Sequence, residues 1–272
     1  MEWILPRYDL DLEKPLLMGI VNATPDSFSE DVRTKLSPMM RALAHRELGA
    51  DIIDVGGESS RPGAQSITGI EEWERIAETV IGISPQTILS VDTIKPEVAH
   101  LAVASGAQII NDISGATNPA LLEVVQGNRA GYVLMRNLRL QLKTYEDPIE
   151  DLIRFFGTKL DYLQRIGINP ECVALDPGLG FGWKFEDNLT ILRRLPELTS
   201  TLSRPLLIGA SRKGFLGAIT GKEPPERILS SVIAAVMAIQ GGAKIVRVHD
   251  IQETKESIQV WRAIANPINS QR

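Results

Sequence analysis

The amino-acid sequence predicts a single-domain α/β protein, a (β/α)8 TIM barrel that spans residues 1–272. Two observations support this prediction: eight short apolar runs alternate with longer amphipathic segments, and Gly or Pro marks many of the boundaries between them. Alternation of this kind is typical of a parallel sheet with crossover helices. Closure into a barrel is the simplest arrangement of eight such units. An open doubly wound sheet remains an alternative, because the spacing alone does not exclude it.

The eight predicted strands are short runs rich in aliphatic and β-branched residues. In chain order they are Leu16–Val21, Asp51–Val55, Thr87–Val91, Gln108–Asn111, Gly131–Met135, Cys172–Leu175, Leu206–Gly209 and Lys244–Val248. Gly-Ala pairs that begin at Gly49, Gly106 and Gly242 stand just before three of these strands, and glycine is common where a helix ends. The strand boundaries therefore coincide with predicted helix ends.

The predicted helices lie between the strands, and several begin with Pro in the first turn, which suits a helix start. They are Pro38–Leu48, Ile70–Gly82, Pro96–Ser105, Pro119–Gln126, Pro148–Ile166, Phe185–Leu195, Pro225–Gln240 and Glu253–Ala265. We find no linker or low-complexity tract that would divide the chain, so we expect one domain.

Composition limits the classes of partner. The 29 Lys and Arg residues against 34 Asp and Glu residues give a formal charge of −5, which argues against a nucleic-acid partner but not against a small anionic substrate. Cys172 is the sole cysteine, so no intramolecular disulfide forms and a reducing compartment is expected. No apolar stretch reaches the length of a membrane span, and the N-terminus lacks a signal-peptide pattern. We therefore expect a cytoplasmic protein without a membrane partner.

Polar residues follow seven of the eight predicted strands. They are Asn22, Asp54 with Glu58, Asp92, Asn111 with Asp112, Asp176, Ser211 to Lys213, and Arg247 with His249. In a parallel barrel the carboxyl ends of all strands meet on one face, where the active sites of this fold lie. A lone Asp after a strand is more often a helix cap. Seven strand ends of similar character indicate a functional site.

These residues divide by chemistry into two groups. Asp92, Asn111 and Asp176 are acceptors that suit the ring N–H and amino groups of a flat heterocycle, with Lys213 available for a carbonyl or ring nitrogen. The second group is basic and suits phosphate oxygens. It comprises Arg61, Arg247 and His249, with Asn22 beside them. The pattern favours a ligand with a donor-rich ring at one end and phosphates at the other.

Two glycine-rich segments do not fit known nucleotide motifs. Gly178 to Gly182 has the wrong spacing for a dinucleotide fingerprint, and Gly217 to Lys222 is one residue short of a phosphate-binding P-loop. Three scattered histidines and one cysteine also lack the spacing of a zinc site. Nucleotide binding of either kind and zinc are therefore not predicted.

Seven segments in order along the chain are similar to those of the dihydropteroate synthases, which are pterin-binding barrel enzymes. The segments are Met18–Ser29, Asp51–Ala64, Ser90–Thr93, Ile109–Gly115, Leu175–Gly182, Gly209–Gly217 and Val246–Asp250. The resemblance implies transfer of the pterin-methyl group of 6-hydroxymethyl-7,8-dihydropterin diphosphate to p-aminobenzoate. The products would be 7,8-dihydropteroate, an intermediate of folate biosynthesis, and pyrophosphate. These small molecules are the partners it implies.

The resemblance also implies a role for each matching position. The catalytic residues would be Lys213, Asp92, Arg247, His249, Phe28 and Glu30. The pterin ring would be held by Asp92, Asn111, Asp176 and Lys213, with Ile113, Met135 and Phe181 packed around it. Arg61, Arg247 and His249 would contact phosphate, and Asn22 would ligate Mg²⁺ beside the diphosphate. Phe28, Ser60 and Pro62 would help form the p-aminobenzoate subsite, and the backbone N–H of Gly214 would meet its carboxylate.

Three segments depart from the family pattern. Ser29–Val32 lacks a glycine pair in the first loop, Arg136–Leu138 replaces a His and a Gly-containing turn after Met135, and Trp183 separates Gly182 from Lys184. Trp183 either displaces the lysine by one position or reshapes the amine subsite. Three hypotheses follow: an active synthase, a non-synthase pterin-binding paralogue that acts as partner or regulator, and a pterin-dependent methyltransferase. The Ser211–Lys213 and Arg247–His249 segments disfavour the methyltransferase, and the synthase is the prediction.

Members of this family are commonly dimers, so the resemblance implies a homodimer. The apolar segment Ile228–Ile239 suits a dimer interface. Burial of the same segment against the barrel explains its composition equally well.

Overall fold

A computed structural model describes residues 1–7, 9–24, 36–60, 63–140 and 144–265. Ten strands are present in these ranges. They are β1 (Glu2–Ile4), β2 (Asp9–Asp11), β3 (Leu16–Asn22), β4 (Ile52–Gly56), β5 (Ile88–Asp92), β6 (Ile109–Asp112), β7 (Gly131–Met135), β8 (Val173–Asp176), β9 (Leu207–Ile208) and β10 (Ile245–Val248). Strands β3 to β10 form one parallel sheet, which contains all eight strands predicted from the sequence.

The eight-stranded sheet closes into a barrel. Its order is β8-β7-β6-β5-β4-β3-β10-β9, so neighbours in the chain are neighbours in the sheet and β10 lies beside β3. Leu175 of β8 forms a parallel bridge with Leu206, the residue before β9. The Leu175 amide also donates to the carbonyl of Pro205 at 2.9 Å. The barrel prediction is confirmed, because the open-sheet alternative would leave β8 and β9 as separate edges.

Ten α-helices surround the strands in the described ranges. They are α1 (Pro38–Leu48), α2 (Gly69–Ile83), α3 (Pro96–Ala104), α4 (Pro119–Asn128), α5 (Pro148–Arg165), α6 (Phe185–Arg193), α7 (Leu195–Thr201), α8 (Gly214–Thr220), α9 (Ile228–Gln240) and α10 (Ile251–Ala265). Helices α7 and α8 were not predicted from the sequence. The predicted start of α9 is three residues early, because Pro224–Glu226 forms a separate 3-10 turn. Nowhere in the described ranges is a helix both long enough and apolar enough to cross a membrane.

The barrel interior consists of an apolar layer beneath a polar one. The apolar layer contains Ile52, Ile109, Val133, Ala174, Leu207 and Ile245, all buried in one cluster. Side chains two residues apart on a strand point to the same side. The residues that follow at this spacing on four of the strands are Asp54, Asn111, Asp176 and Arg247. The period of two therefore places charged and amide side chains inside the barrel, toward the carboxyl ends of the strands.

A hairpin that was not predicted covers the opposite end of the barrel. Strands β1 and β2 pair antiparallel with Trp3 opposite Leu10. Trp3 and Leu12 are fully buried against the apolar layer, and the Trp3 indole N–H donates to the Cys172 carbonyl at 2.7 Å. The N-terminal segment thus closes the base of the barrel, opposite the polar layer.

Candidate active site

Arg247 is the centre of the polar layer. Its Nε donates to Oδ2 of Asp54 at 2.6 Å, and its Nη2 donates to Oδ2 of Asp92 at 3.0 Å. The Asn111 side-chain amide donates to the same Asp54 oxygen at 3.1 Å. Asp54 is fully buried, and its Oδ1 has no hydrogen-bond partner among the described residues. Two carboxylates, an amide and a guanidinium from four strands therefore form one cluster, which joins Arg247 of the predicted basic group to the predicted acceptors.

Burial and neighbouring charges shift the pKa of Asp92. Burial raises the pKa of Asp92 to about 7, Arg247 opposes this rise, and the nearby charge of Asp54 adds to it. At neutral pH the carboxyl group of Asp92 therefore exchanges readily between its protonated and ionised forms. In its ionised form, this carboxyl group can accept hydrogen bonds from ring N–H and amino groups.

Asp176 and Lys213 form a second part of the polar layer. Oδ1 of Asp176 accepts from the Gly178 amide at 2.7 Å, and burial raises the pKa of Asp176. Burial lowers the pKa of Lys213 to about 8, with the charge of Asp176 opposing the fall. The ammonium group of Lys213 donates to the Leu179 carbonyl and lies 4.5 Å from the centroid of the Phe181 ring. Lys213 is therefore held at the mouth of the barrel beside an aromatic wall.

Contacts between the last two strand ends position this lysine. Arg212, directly before it, adopts a left-handed conformation with φ 58° and pairs with Asp250, Nη2 to Oδ1 at 2.5 Å. The hydroxyl of Ser211 lies 2.9 Å from Nδ1 of His249. The loops after β9 and β10 thus hold each other, and Lys213 and His249 reach the same end of the barrel.

An open cleft of about 200 Å³ lies beside Asp92 at this end. Its walls include Asp92, Ile113, Asn137, Phe181, Ser60 and Arg139. Met135, predicted as a pterin contact, is buried in the barrel with 1% of its surface exposed. The cleft combines apolar walls with a buried carboxyl group, as small-molecule sites commonly do.

The other predicted site residues are placed as follows. Asn22 ends β3, and its backbone carbonyl accepts from Nη2 of Arg41 at 2.5 Å. Ser60 and Gly214 are both exposed, Ser60 at the cleft and Gly214 as the first residue of α8. Phe28, Glu30, Arg61 and Pro62 lie outside the described residues, so their roles stay predictions.

Two of the strand-end carboxylates support loops. Asp112 accepts from the Ser114 amide at 2.7 Å and from the Tyr132 hydroxyl at 2.5 Å, and it is fully buried. Glu58 pairs with Lys95 at the edge of the cleft. The helix-cap or loop explanation therefore describes Asp112 better than a substrate contact does.

The three departures from the family pattern differ in their structural setting. Arg136 is buried, and its Nε pairs with Oδ2 of Asp151 at 2.9 Å. Trp183 is buried behind the loop after β8, where its indole N–H donates to the Pro177 carbonyl at 2.8 Å and its ring meets Tyr145 edge-on. Trp183 therefore supports that loop from behind and does not line the cleft. The altered first loop lies outside the described residues.

Two residues of the site were given no role in the prediction. Asp54 was recognised as a strand-end polar residue, and its position two residues after the interior residue Ile52 was the signal that it points into the barrel. Arg139 carried no such signal, since it lies four residues beyond the end of β7 in a segment without periodicity. Its position at the cleft follows from the path of the loop.

Comparisons with known proteins place the chain in one family. The profile of the family described as pterin binding enzyme matches residues 18–249. The dihydropteroate synthase of Escherichia coli strain K12 is 39% identical over 274 residues, which cover 97% of this chain and 96% of that protein. The dihydropteroate synthase of Neisseria meningitidis serogroup C is 37% identical over 276 residues, 96% of this chain and 97% of that protein.

Solved structures show the same similarity. The dihydropteroate synthase of Xanthomonas albilineans with 4-aminobenzoic acid superposes with a TM-score of 0.89 at 39% identity, over 95% of this chain and 96% of that one. The Burkholderia cenocepacia enzyme complexed with 7,8-dihydropteroate superposes with a TM-score of 0.88 at 38% identity, over 97% and 96% of the two chains. The similarity therefore includes both the sequence and the whole barrel.

Proposed function

The chain belongs to the family of pterin-binding enzymes, and we infer that within this family it acts as a dihydropteroate synthase. It is a transferase that joins p-aminobenzoate to the methylene carbon of 6-hydroxymethyl-7,8-dihydropterin diphosphate. The products are 7,8-dihydropteroate and pyrophosphate. The observation that carries this conclusion is the buried cluster of Asp54, Asp92, Asn111 and Arg247 beside an open cleft, in a chain whose relatives share the whole barrel.

The buried cluster suits the pterin ring. A dihydropterin carries an amino group and ring N–H groups along one edge, and buried carboxylates need donors of this kind. Asp54 Oδ1 is a buried acceptor without a donor among the described residues, and Asp92 opens directly to the cleft. Asp176 and Lys213 would meet the rest of the ring, with Ile113 and Phe181 as apolar walls.

The reaction needs no nucleophile from the protein. The amine nitrogen of p-aminobenzoate forms a bond to the pterin methylene carbon, the bond from that carbon to the diphosphate oxygen breaks, and the amine loses a proton. Cationic groups near the departing pyrophosphate favour this step. Arg61, Arg247 and His249 are the residues predicted to contact the phosphates. Arg247 would also orient Asp92 and Asp54 beside the ring.

Magnesium is proposed as a partner of the diphosphate. Mg²⁺ prefers oxygen ligands and is often bound by one or two protein groups together with substrate phosphates. The side-chain amide oxygen of Asn22 at the end of β3 is such a group, and within the described residues no cluster of three or more His, Cys, Asp or Glu side chains could hold a metal by itself. When bound, the ion would neutralise charge on the diphosphate. Removal of Mg²⁺ with EDTA should weaken pterin diphosphate binding measured by calorimetry. Asn22→Ala should raise the Mg²⁺ concentration that is required for this binding.

The activity is tested with purified protein, the pterin diphosphate, Mg²⁺ and p-aminobenzoate, with pyrophosphate and dihydropteroate followed together. Coupled formation of both products is expected. Lys213→Ala and Asp92→Asn should each lower kcat/KM by roughly 100-fold or more, because each removes a contact to the reacting pterin. His100→Ala, an exposed residue on α3, serves as the control and should leave the rate unchanged.

Other outcomes point to the other two hypotheses. Tight binding of the pterin diphosphate without either product would indicate the non-synthase paralogue. Methyl transfer from a methylated folate to a corrinoid acceptor would indicate the methyltransferase. Near-normal rates in both Lys213→Ala and Asp92→Asn would contradict the proposed site.

We also propose that the protein is a homodimer through α9. Leu229, Ile233 and Met237 follow one another at one-turn spacing and are 67%, 51% and 54% exposed. A two-fold interface uses the same patch on both copies. Light scattering during gel filtration should give twice the chain mass, and Ile233→Glu should give the monomer.

We also propose that the protein is located in the cytoplasm. The single cysteine, Cys172, is buried and free, which suits a reducing compartment. Cell fractionation tests this location.

A further inference from the structure

Arg139 lies at the rim of the cleft and connects two loops. Its Nη1 donates to the Ser60 carbonyl at 3.1 Å, and its Nη2 donates to the Gly180 carbonyl at 2.6 Å. Its guanidinium carbon lies 5.0 Å from the centroid of the Phe181 ring. The backbone amide of Arg139 donates to Oδ1 of Asn137 at 3.1 Å, which fixes the start of its loop. The guanidinium is therefore oriented by the loops after β4, β7 and β8 together.

No carboxylate among the described residues neutralises the charge of this guanidinium. Both of its hydrogen-bond acceptors are backbone carbonyls, and no carboxylate pairs with it in the part of the chain that the structure describes. Partial burial lowers the pKa of Arg139, but an Arg side chain remains charged at physiological pH. A guanidinium has five N–H donors, so it can hold two carbonyls and still bind an anion.

The second substrate carries a negative charge that such a cation would bind. p-Aminobenzoate is a flat aromatic acid, and its carboxylate is charged at neutral pH. The residues assigned to it by resemblance are Phe28, Ser60, Pro62 and the backbone N–H of Gly214, and none of them is positively charged. Charge-assisted hydrogen bonds are about twice as strong as neutral ones.

We propose that Arg139 is the specificity-determining residue that recognises the carboxylate of the arylamine substrate. This inference rests on the proposed synthase function and deepens it. The ring of the arylamine would lie along Phe181, and the carboxylate would meet the guanidinium at the rim of the cleft. The amine at the opposite end of the ring would then point into the cleft, toward Asp92 and the pterin.

The test compares an acid with its neutral amide. Steady-state kinetics would be measured with p-aminobenzoate and with p-aminobenzamide for the wild type, Arg139→Gln and Arg139→Lys. Gln retains donors for the two carbonyls but lacks charge, whereas Lys retains the charge. Arg193→Gln, an exposed arginine at the end of α6, is the matched control.

We expect Arg139→Gln to lower kcat/KM for p-aminobenzoate by roughly 10- to 100-fold, mainly through KM, and to change the value for p-aminobenzamide by less than about 3-fold. Arg139→Lys should recover part of the loss, and Arg193→Gln should behave as wild type. The ratio of kcat/KM for the acid to that for the amide would thus fall most in Arg139→Gln, which lacks the charge.

Equal losses for acid and amide would overturn the proposal, since they would show a loop-holding role alone. An unchanged preference would overturn it as well, and a rise in KM for the pterin diphosphate would assign Arg139 to phosphate instead. If the wild type makes no dihydropteroate, the proposed function fails and this inference fails with it. An active wild type whose selectivity does not depend on Arg139 removes this inference only.

Discussion

At the scale of single residues, the ionisation of Asp92 depends on burial and on neighbouring charges. Burial raises its pKa to about 7, the guanidinium of Arg247 opposes the rise, and the charge of Asp54 reinforces it. The ionised form of Asp92 accepts hydrogen bonds from ring N–H groups more strongly than the protonated form does. We therefore expect pterin affinity to fall as the pH drops through about 7, because the protonated form then predominates before binding.

Asp54→Asn should shift this fall in pterin affinity, the acidic limb of the pH profile, to lower pH. The substitution removes a like charge that raises the pKa of Asp92, while Arg247 remains to lower it, so Asp92 stays ionised in more acidic solution. The amide oxygen of the substituted side chain can still accept the hydrogen bonds from Arg247 and Asn111. Calorimetric titrations with the pterin at a series of pH values measure the limb.

Ser90→Ala is the control for this prediction. Ser90 lies two residues before Asp92 on β5, is fully buried and carries no charge. Loss of the Ser90 hydroxyl should leave the pH of the acidic limb unchanged. A limb that stays fixed in Asp54→Asn would contradict the assignment of the titrating group to Asp92.

At the scale of elements, a buried ion pair ties the end of β7 to α5. Arg136 and Asp151 are 1% and 2% exposed, their closest atoms are 2.9 Å apart, and the Arg136 guanidinium lies 4.7 Å from the ring of Phe155. A buried pair of this kind contributes little beyond what apolar residues of the same volume would, but the loss of one partner leaves an unpaired buried charge. The pair thus fixes the loop that also carries Arg139.

Asp151→Ala should lower the free energy of unfolding by about 3–5 kcal/mol, because Arg136 loses its buried partner. The double variant Arg136→Met/Asp151→Leu should recover most of this loss, since it removes both charges. Arg154→Ala, which removes an exposed partner of Asp151, should change stability by at most about 1 kcal/mol. Urea unfolding measures all three, and a double variant as unstable as Asp151→Ala would contradict the explanation.

The N-terminal hairpin is a second element with a separate task. Trp3 is fully buried against the apolar layer at the base of the barrel, whereas the polar layer lies toward the other end of the strands. Stability and catalysis should therefore respond differently to changes in the hairpin.

Trp3→Ala should lower the free energy of unfolding by roughly 3–5 kcal/mol, the usual range for loss of a large buried aromatic side chain. The kcat of the folded enzyme should change by less than about 2-fold, because the hairpin contacts no part of the cleft. Ile70→Ala, at 72% exposure, is the control and should stay within about 0.5 kcal/mol. A large fall in kcat with little change in stability would refute this division.

At the scale of the whole molecule, the barrel brings residues from distant parts of the chain into one polar layer. The proposed pterin site draws on β4, β5, β6, β8 and β10, so a bound pterin would contact much of the sheet at once. A ligand that binds only the folded state stabilises it by mass action.

A pterin diphosphate concentration of about 100 times its Kd should add about 2.7 kcal/mol of stability and raise the Tm by roughly 5–10 °C. Asp92→Asn should show little of this rise, because it weakens the ligand's contact with the cluster. His100→Ala should show the full rise. Differential scanning fluorimetry measures the shift, and an equal shift in Asp92→Asn would place the ligand elsewhere.

Much of the architecture could be predicted from the sequence, because its signals are local. The alternation of apolar runs and amphipathic segments, the prolines at helix starts and the polar residues after strands each depend on near neighbours in the chain. These signals identified eight strands and eight helical segments, and the segments shared with dihydropteroate synthases identified the family. The short α7 and α8 and the hairpin have too few residues for a clear period.

The arrangement of charges could not be predicted in the same way, because it joins residues far apart in sequence. Arg247 is 193 residues from Asp54 and 155 from Asp92, and its pairing with both merges two groups that looked separate along the chain. Arg139 reaches Ser60, 79 residues away, through the path of a loop without periodicity. Local pattern therefore specifies which residues end the strands, whereas barrel closure specifies which of those residues form hydrogen bonds and ion pairs with one another.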